Sequence, residues 1–197
     1  MTSKKTNSNK RLTSTKQYFD TLTQNYSKLN LVRVDLGYKK PYSGEISLED
    51  ANKDLNHMFN NMRSKPTIFK DVVGYVCKRE YTEDRGVHFH TLMVYNGQKV
   101  QKDAYMGDQI GKYWEKITAQ KGSFHNCNRN SYEQTGIGML DYKDKEKRQI
   151  LDEKVLSYIC KDEQSIDAIK TKKKSRAFTR GVMPKTKSHI GRPRENG

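Results

Sequence analysis

Apolar and polar positions alternate most regularly in the middle of the chain. Asp71 to Glu80 and Gly86 to Tyr95 are rich in β-branched and aromatic residues, and the polar stretch Thr82-Glu83-Asp84-Arg85-Gly86 lies between them. This pattern predicts a β-hairpin with strands over roughly 67–80 and 86–95. Asn30 to Leu36 alternates in the same way and predicts an earlier strand, ended by the loop from Gly37 to Gly44. Helical spacing occupies Thr15 to Leu29. It returns after Ser47, a candidate N-cap with Asp50 three residues on, where Leu48, Ala51, Leu55, Met58, Phe59 and Met62 share a face until Pro66. A further helix is predicted over Ala104 to Ala119, with Ile110, Trp114 and Ile117 on one side. A short strand is predicted around Thr135 to Leu140, whose glycines imply a bulge or the close approach of another backbone. The last helix covers Ile150 to Lys170, through Leu151, Val155, Leu156, Ile159, Ile166 and Ile169. The order predicts an α+β fold, a central antiparallel sheet with helices mainly on one face and the other face open.

Charge divides the chain into three parts. The net charge is +15 over 197 residues, but residues 1–16 hold five Lys or Arg and no acid. Residues 165–197 hold ten Lys or Arg against Asp167 and Glu195, which leaves only +2 for the rest. We therefore expect a disordered basic arm over 1–14, one globular domain over 15–170, and a basic tail over 171–197. Basic ends around a nearly neutral body suit a polyanion such as nucleic acid. No long apolar stretch or amphipathic anchor accompanies them, so a membrane partner is not expected. Met1-Thr2-Ser3-Lys4-Lys5 leads into polar residues, and no secretory leader is expected. Cys77, Cys127 and Cys160 are odd in number and widely spaced, which fits a reducing cytoplasm better than a disulfide framework.

The hairpin carries the candidate chemistry. His88 and His90 flank Phe89, so on a strand their rings emerge on one face and can share one divalent metal. Closing the hairpin puts Glu80 opposite or diagonal to them, giving two histidines and one carboxylate. The bland alternative is a solvated or hydrogen-bonded pair of histidines. In the last helix, Tyr158 and Lys161 are three positions apart and share a face. A phenol of pKa about 10 is a weak nucleophile at neutral pH, and a nearby cation favours the phenolate. The alternative is a tyrosine packed in the core with Lys161 in solvent. The same spacing recurs at Tyr142 and Lys145, but there the surroundings are charge-dense and predict a loop. His57 and His125 show no ligand spacing.

With these residues identified, the chain resembles the HUH endonucleases (histidine, hydrophobic, histidine), and among them the rolling-circle replication initiators. His88-Phe89-His90 matches their metal motif, Tyr158-Ile159-Cys160-Lys161 their later nucleophile motif, and Glu80 lies where small viral initiators have their third metal ligand. More narrowly, the chain resembles the inovirus gene-2-protein-like family of filamentous phages. That likeness runs over about 30–195 and includes Arg33-Val34-Asp35-Leu36, Ile110-Gly111-Lys112-Tyr113-Trp114, Gly136-Ile137-Gly138-Met139, Arg180-Gly181-Val182-Met183-Pro184-Lys185 and Gly191-Arg192-Pro193-Arg194.

The resemblance implies a metal-dependent nickase of single-stranded or origin DNA in a bacterial host cytoplasm. His88, His90 and Glu80 would hold Mg²⁺ or Mn²⁺. Tyr158 would form a 5′-phosphotyrosine, assisted by Lys161. Asp35 either orients a ligand histidine or is a surface carboxylate, and Gln164 is a weaker candidate at the site. Lys172, Lys173, Lys174, Arg176, Arg180, Arg192 and Arg194 would contact phosphates. No phosphate-binding loop is present, so no ATP is expected and unwinding falls to a host helicase, with a host polymerase following. One strong candidate tyrosine stands where some HUH enzymes use two. Two alternatives share these features, a single-tyrosine transposase or plasmid relaxase, and a non-catalytic DNA-binding regulator on the same fold.

Overall fold

Helix α1 (Thr2–Asn25) leads into the long strand β1 (Lys28–Tyr38), the first of six that form one antiparallel sheet among the described residues. This computed structural model describes residues 2–161, 166–169 and 176–185. After β1 come the short helix α2 (Lys40–Ser43), α3 (Leu48–Asn60) and the single turn α4 (Pro66–Phe69). Strands β2 (Val72–Thr82) and β3 (Gly86–Asn96) form the hairpin, and α5 (Asp103–Ile117) follows. Strand β4 (Gly122–Asn126), strand β5 (Gly138–Asp141) and helix α6 (Lys145–Ile150) come next. Helix α6 runs into a π-helical segment over Leu151–Leu156 and then α7 (Ser157–Cys160); strand β6 (Phe178–Arg180) is last.

The sheet order is β4-β1-β3-β2-β6, and β5 pairs with the part of β1 that β4 leaves free. β3 is therefore central, with β1 and β2 as its two neighbours. The hairpin closes as Thr82 opposite Gly86. Gly86 has φ +64, and a side chain there would collide with the Ser43 carbonyl, so this turn requires glycine.

Side chains along a strand point alternately to the two faces, and the core divides accordingly. Val32, Val34, Leu36 and Tyr38 of β1 join one hydrophobic cluster with Leu48, Ala51, Leu55 and Met58 of α3 and Met106, Ile110 and Trp114 of α5. Leu29 and Leu31 join a second, with Leu92 and Val94 of β3, Tyr18, Phe19 and Leu22 of α1, and Leu151, Val155, Leu156 and Ile159. Helices thus contribute to both clusters. Arg33 and Asp35 continue the alternation of Leu29 and Leu31, as His88 and His90 do that of Leu92 and Val94. The polar centre therefore extends the second cluster along the sheet.

Several elements differ from those read in the sequence. Residues 2–14, expected as a disordered arm, are the first turns of α1. Ser8 and Arg11 donate to the Cys160 carbonyl at 3.0 and 3.1 Å, and Leu12 packs on the second cluster, so tertiary contacts order a polar segment. Ser47 caps α3 as expected, accepting from the Asp50 N–H. Pro66 begins α4, which delays β2 to Val72. The charged stretch expected as a loop forms α6 from Lys145, because Asp144 caps it by accepting from the Lys147 N–H at 2.9 Å. Gly136 is approached by another backbone, as its type suggested: a Cβ there would lie 2.7 Å from the Leu151 nitrogen. Strands β4 and β6, the latter within the expected tail, were not anticipated.

Candidate metal and nucleophile centre

Strand register assembles the centre. In the β2–β3 pair, Glu80 stands opposite His88 and Lys78 opposite His90; in the β1–β3 pair, Asp35 stands opposite His90. These residues occupy alternate positions on three adjacent strands, so their side chains share one face. Glu80, His88, His90 and Lys78 are all buried.

The two imidazoles turn the same edge inward. His88 Nδ1 donates to the Gly86 carbonyl at 3.1 Å, which fixes the proton on Nδ1 and directs Nε2 toward Glu80 Oε2, 3.3 Å away. His90 Nδ1 lies 2.8 Å from Asp35 Oδ1, and its Nε2 is 2.9 Å from the same Glu80 Oε2. Neither His88 Nε2 nor His90 Nδ1 has a well-aligned hydrogen-bond partner despite full burial. One ligand atom each from Glu80, His88 and His90 lies within 4.8 Å of the other two. Two histidines and a carboxylate suit a divalent cation and leave further coordination positions open. A backbone carbonyl and a carboxylate behind the ligand rings are the supports that metal-binding histidines use. The donor set fits a metal ion.

Charge is balanced locally. Lys78 pairs with Glu80 Oε1, and Arg33 Nε is 3.5 Å from Asp35 Oδ1. Burial works against the Glu80 carboxylate, but the His88 and His90 imidazoles and the Lys78 ammonium set against it outweigh burial and hold Glu80 well below the usual carboxylate range. Asp35 is likewise lowered, burial being overcome by His90 and Arg33. Burial also disfavours charge on His90, yet Asp35 and Glu80 raise its pKa overall.

Tyr158 meets this cluster from the helix. Its hydroxyl lies 3.4 Å from His90 Nε2, and the two rings meet edge to face with centroids 5.2 Å apart. The side chain is 38% exposed, so one side faces the centre and another faces solvent. The Arg33 guanidinium lies 4.9 Å from the ring centre and the Lys78 ammonium 5.7 Å. Burial, followed by the charge of Glu80, nevertheless raises the phenol above its ordinary value.

The structure thus brings together Glu80, His88, His90, Asp35 and Tyr158. Lys161 lies at the extended residue that ends α7; its backbone N–H donates to the Tyr158 carbonyl at 3.3 Å and its side chain is exposed. The helix stops one residue too early for the three-residue spacing to put both on one face. Among the described residues, the cations over the tyrosine ring are Arg33 and Lys78, neither of which the sequence reading assigned. The available signal was parity: both alternate in step with the assigned residues on their strands. Arg180 is engaged in holding α1, donating to Ser14 at 2.9 Å with its guanidinium 5.0 Å from the Tyr18 ring. Arg176 is exposed, while Gln164, Lys172, Lys173, Lys174, Arg192 and Arg194 lie outside the described residues. No helix among the described residues is long and apolar enough to cross a membrane.

Over residues 1–181 the chain matches the YagK/YfjJ C-terminal domain, and it belongs to that family. No curated protein and no solved structure matches it.

Proposed function

We propose that this member of the YagK/YfjJ C-terminal domain family is a metal-dependent endonuclease of the HUH type. In this reading it nicks single-stranded or origin DNA through Tyr158 and so initiates rolling-circle replication in a bacterial host cytoplasm. The observation that carries the reading is the Tyr158 hydroxyl 3.4 Å from His90 Nε2, on the edge of a buried Glu80-His88-His90 set. A nucleophile, a metal-binding set and two cations converge on one partly open spot, as phosphodiester exchange requires.

Glu80, His88 and His90 would hold Mg²⁺ or Mn²⁺, which when bound polarises a phosphoryl group and offsets its developing charge. The chain's own residues supply the rest. Tyr158 Oη attacks the scissile phosphorus and the bond from phosphorus to the 3′ oxygen breaks. The phenolic proton passes to solvent along the exposed side of the ring. The product is a 5′-phosphotyrosine with a free 3′-hydroxyl, which gains its proton from water. Arg33 and Lys78 neutralise the phenolate and the non-bridging oxygens, the work the sequence reading gave to Lys161. Asp35 holds the His90 ring in place. One phosphodiester is exchanged for another, so the step needs no ATP, and attack by a 3′-hydroxyl reverses it. Unwinding and synthesis fall to a host helicase and polymerase.

The test is incubation with single-stranded DNA carrying the origin of the encoding element and Mn²⁺. A denaturation-resistant protein–DNA adduct, lost in Tyr158→Phe and with EDTA, is expected. Binding of that DNA without any adduct would overturn the proposal. It would favour a second reading, a regulator whose centre is only structural. One observation supports that alternative: Lys78 already neutralises Glu80, so the cluster is charge-balanced by its own residues.

A further inference from the structure

We propose that the cavity beside Arg33 and Tyr132 is a subsite for one unpaired nucleobase of the strand being cut. The inference rests on the nickase reading to place that strand at Tyr158. The cavity encloses about 130 Å³, and Arg33, Tyr132, Gln134, Ile137, Lys154 and Val155 are among its lining residues.

Its position ties it to the nucleophile. Arg33 lines the cavity and also covers the Tyr158 ring. Lys154 and Val155 precede Tyr158 by four and three residues on the same helical run. A group held there is a neighbour of whatever Tyr158 attacks.

Its chemistry suits a flat heterocycle. Ile137 and Val155 are buried and give it an apolar wall. Tyr132 is 44% exposed, and a large ring left in solvent at a cavity mouth is a stacking surface that any base can use. The ring is also tethered: the Asn130 amide donates to Tyr132 Oη at 3.3 Å and also meets His125 Nε2 at 3.0 Å. The Gln134 amide offers both a donor and an acceptor to a base edge. Lys154 is exposed and supplies a charge for the adjoining phosphate.

The same tether reaches beyond this cavity. His125 lines a second cavity of about 190 Å³, together with Asp35, His88, Ser123 and Arg85. The first cavity thus adjoins the centre through Arg33, and the second through Asp35 and His88. A strand crossing the centre has either recess within reach. The Tyr132 recess has the stacking ring and the amide, so the base is assigned there.

The test uses the full-length chain in EDTA with random single-stranded oligonucleotides carrying 5-iodouracil in place of thymine. After irradiation, crosslinked peptides are mapped by mass spectrometry. The expected crosslink is at Tyr132, and Tyr132→Ala should weaken binding of the same oligonucleotides by about five- to a hundredfold. Gln134→Ala is a second exposed change, expected to lower crosslinking without altering the fold. Crosslinks confined to other residues, with Tyr132→Ala binding like wild type, would overturn the subsite. Because EDTA removes any metal-dependent cleavage, the two proposals fail separately. Crosslinking at Tyr132 with no adduct under Mn²⁺ leaves the subsite and removes the nickase, whereas an adduct without that crosslink does the reverse. Failure of every oligonucleotide to bind would overturn the subsite and leave the nickase to its own test with origin DNA and Mn²⁺.

Discussion

Asp35 Oδ1 stands 2.8 Å from His90 Nδ1, directly across the β1–β3 pair, so one strand presents the ligand and its neighbour braces it. The brace fixes which imidazole edge faces Glu80. Such supports typically change metal affinity by about 10- to 100-fold when removed. Asp35→Ala should therefore weaken Mn²⁺ binding in that range by calorimetry. Asp35→Asn, which can still accept from Nδ1, should lose less. Equal affinity in all three proteins would refute the bracing role.

Tyr158→Phe deletes one hydroxyl from a ring that is partly in solvent. Its thermal unfolding should match wild type to within about 0.5 kcal/mol, the usual range for a surface change. Adduct formation should nevertheless disappear. A residual adduct would redirect attention to Tyr142.

Metal binding should stabilise the fold, because the site exists only when β2 and β3 are paired. At a hundredfold excess over the dissociation constant the gain is about 2.7 kcal/mol. Mn²⁺ should raise the unfolding midpoint of wild type but not of Glu80→Gln. A midpoint indifferent to Mn²⁺ and EDTA would exclude a metal site here.

The metal-free protein should lose stability as the solution becomes more basic. Burial opposes the charge on His90 but Asp35 and Glu80 favour it more, so its folded pKa lies above the ordinary imidazole value. A raised basic group stabilises fully below its unfolded pKa, about 6.5, and that contribution is lost as pH rises through the folded value. In EDTA the midpoint should fall from about pH 6 toward higher pH, and the fall should be shallower in His90→Gln. Glu80 and Asp35 are lowered, so their contributions vanish only in acid, below the ordinary carboxylate pKa of about 4.

Gly86→Ala tests the turn. Its left-handed backbone and the nearby Ser43 carbonyl leave no room for a Cβ. A loss of about 1–3 kcal/mol is expected. The Gly86 carbonyl also holds His88 Nδ1, so Mn²⁺ affinity should fall along with stability. Unchanged unfolding would show that the turn yields easily.

The metal set was legible because it depends on two local rules, strand alternation and hairpin closure, and both act within Val72–Asn96. The α+β class followed from the same periodicity. Arg33 and Lys78 escaped notice because their significance depends on which strands are adjacent and on where the Tyr158 helix lies. Lys161 misled because equal spacing implies a shared face only while the helix continues, and it ends at Cys160. Residues 2–14 carry few apolar side chains, so their order depends on distant partners such as the Cys160 carbonyl. β4 and β6 each hold one large apolar residue, Phe124 and Phe178, which leaves no alternation to read.

The π-helical stretch before Tyr158 has a geometric consequence for how the phenol is aimed. Ser157 N–H donates to the Asp152 carbonyl, five residues back, so this turn holds one residue more than an α-turn. An α-helix advances about 100° per residue, and the surplus residue delays everything after it by about that angle. Tyr158 therefore has the bearing that an unbroken helix from Lys145 would give to position 157, where this chain has a serine. Aim here is a matter of counting: in a straightened helix of the same length, the phenol would swing about a quarter-turn away from His90.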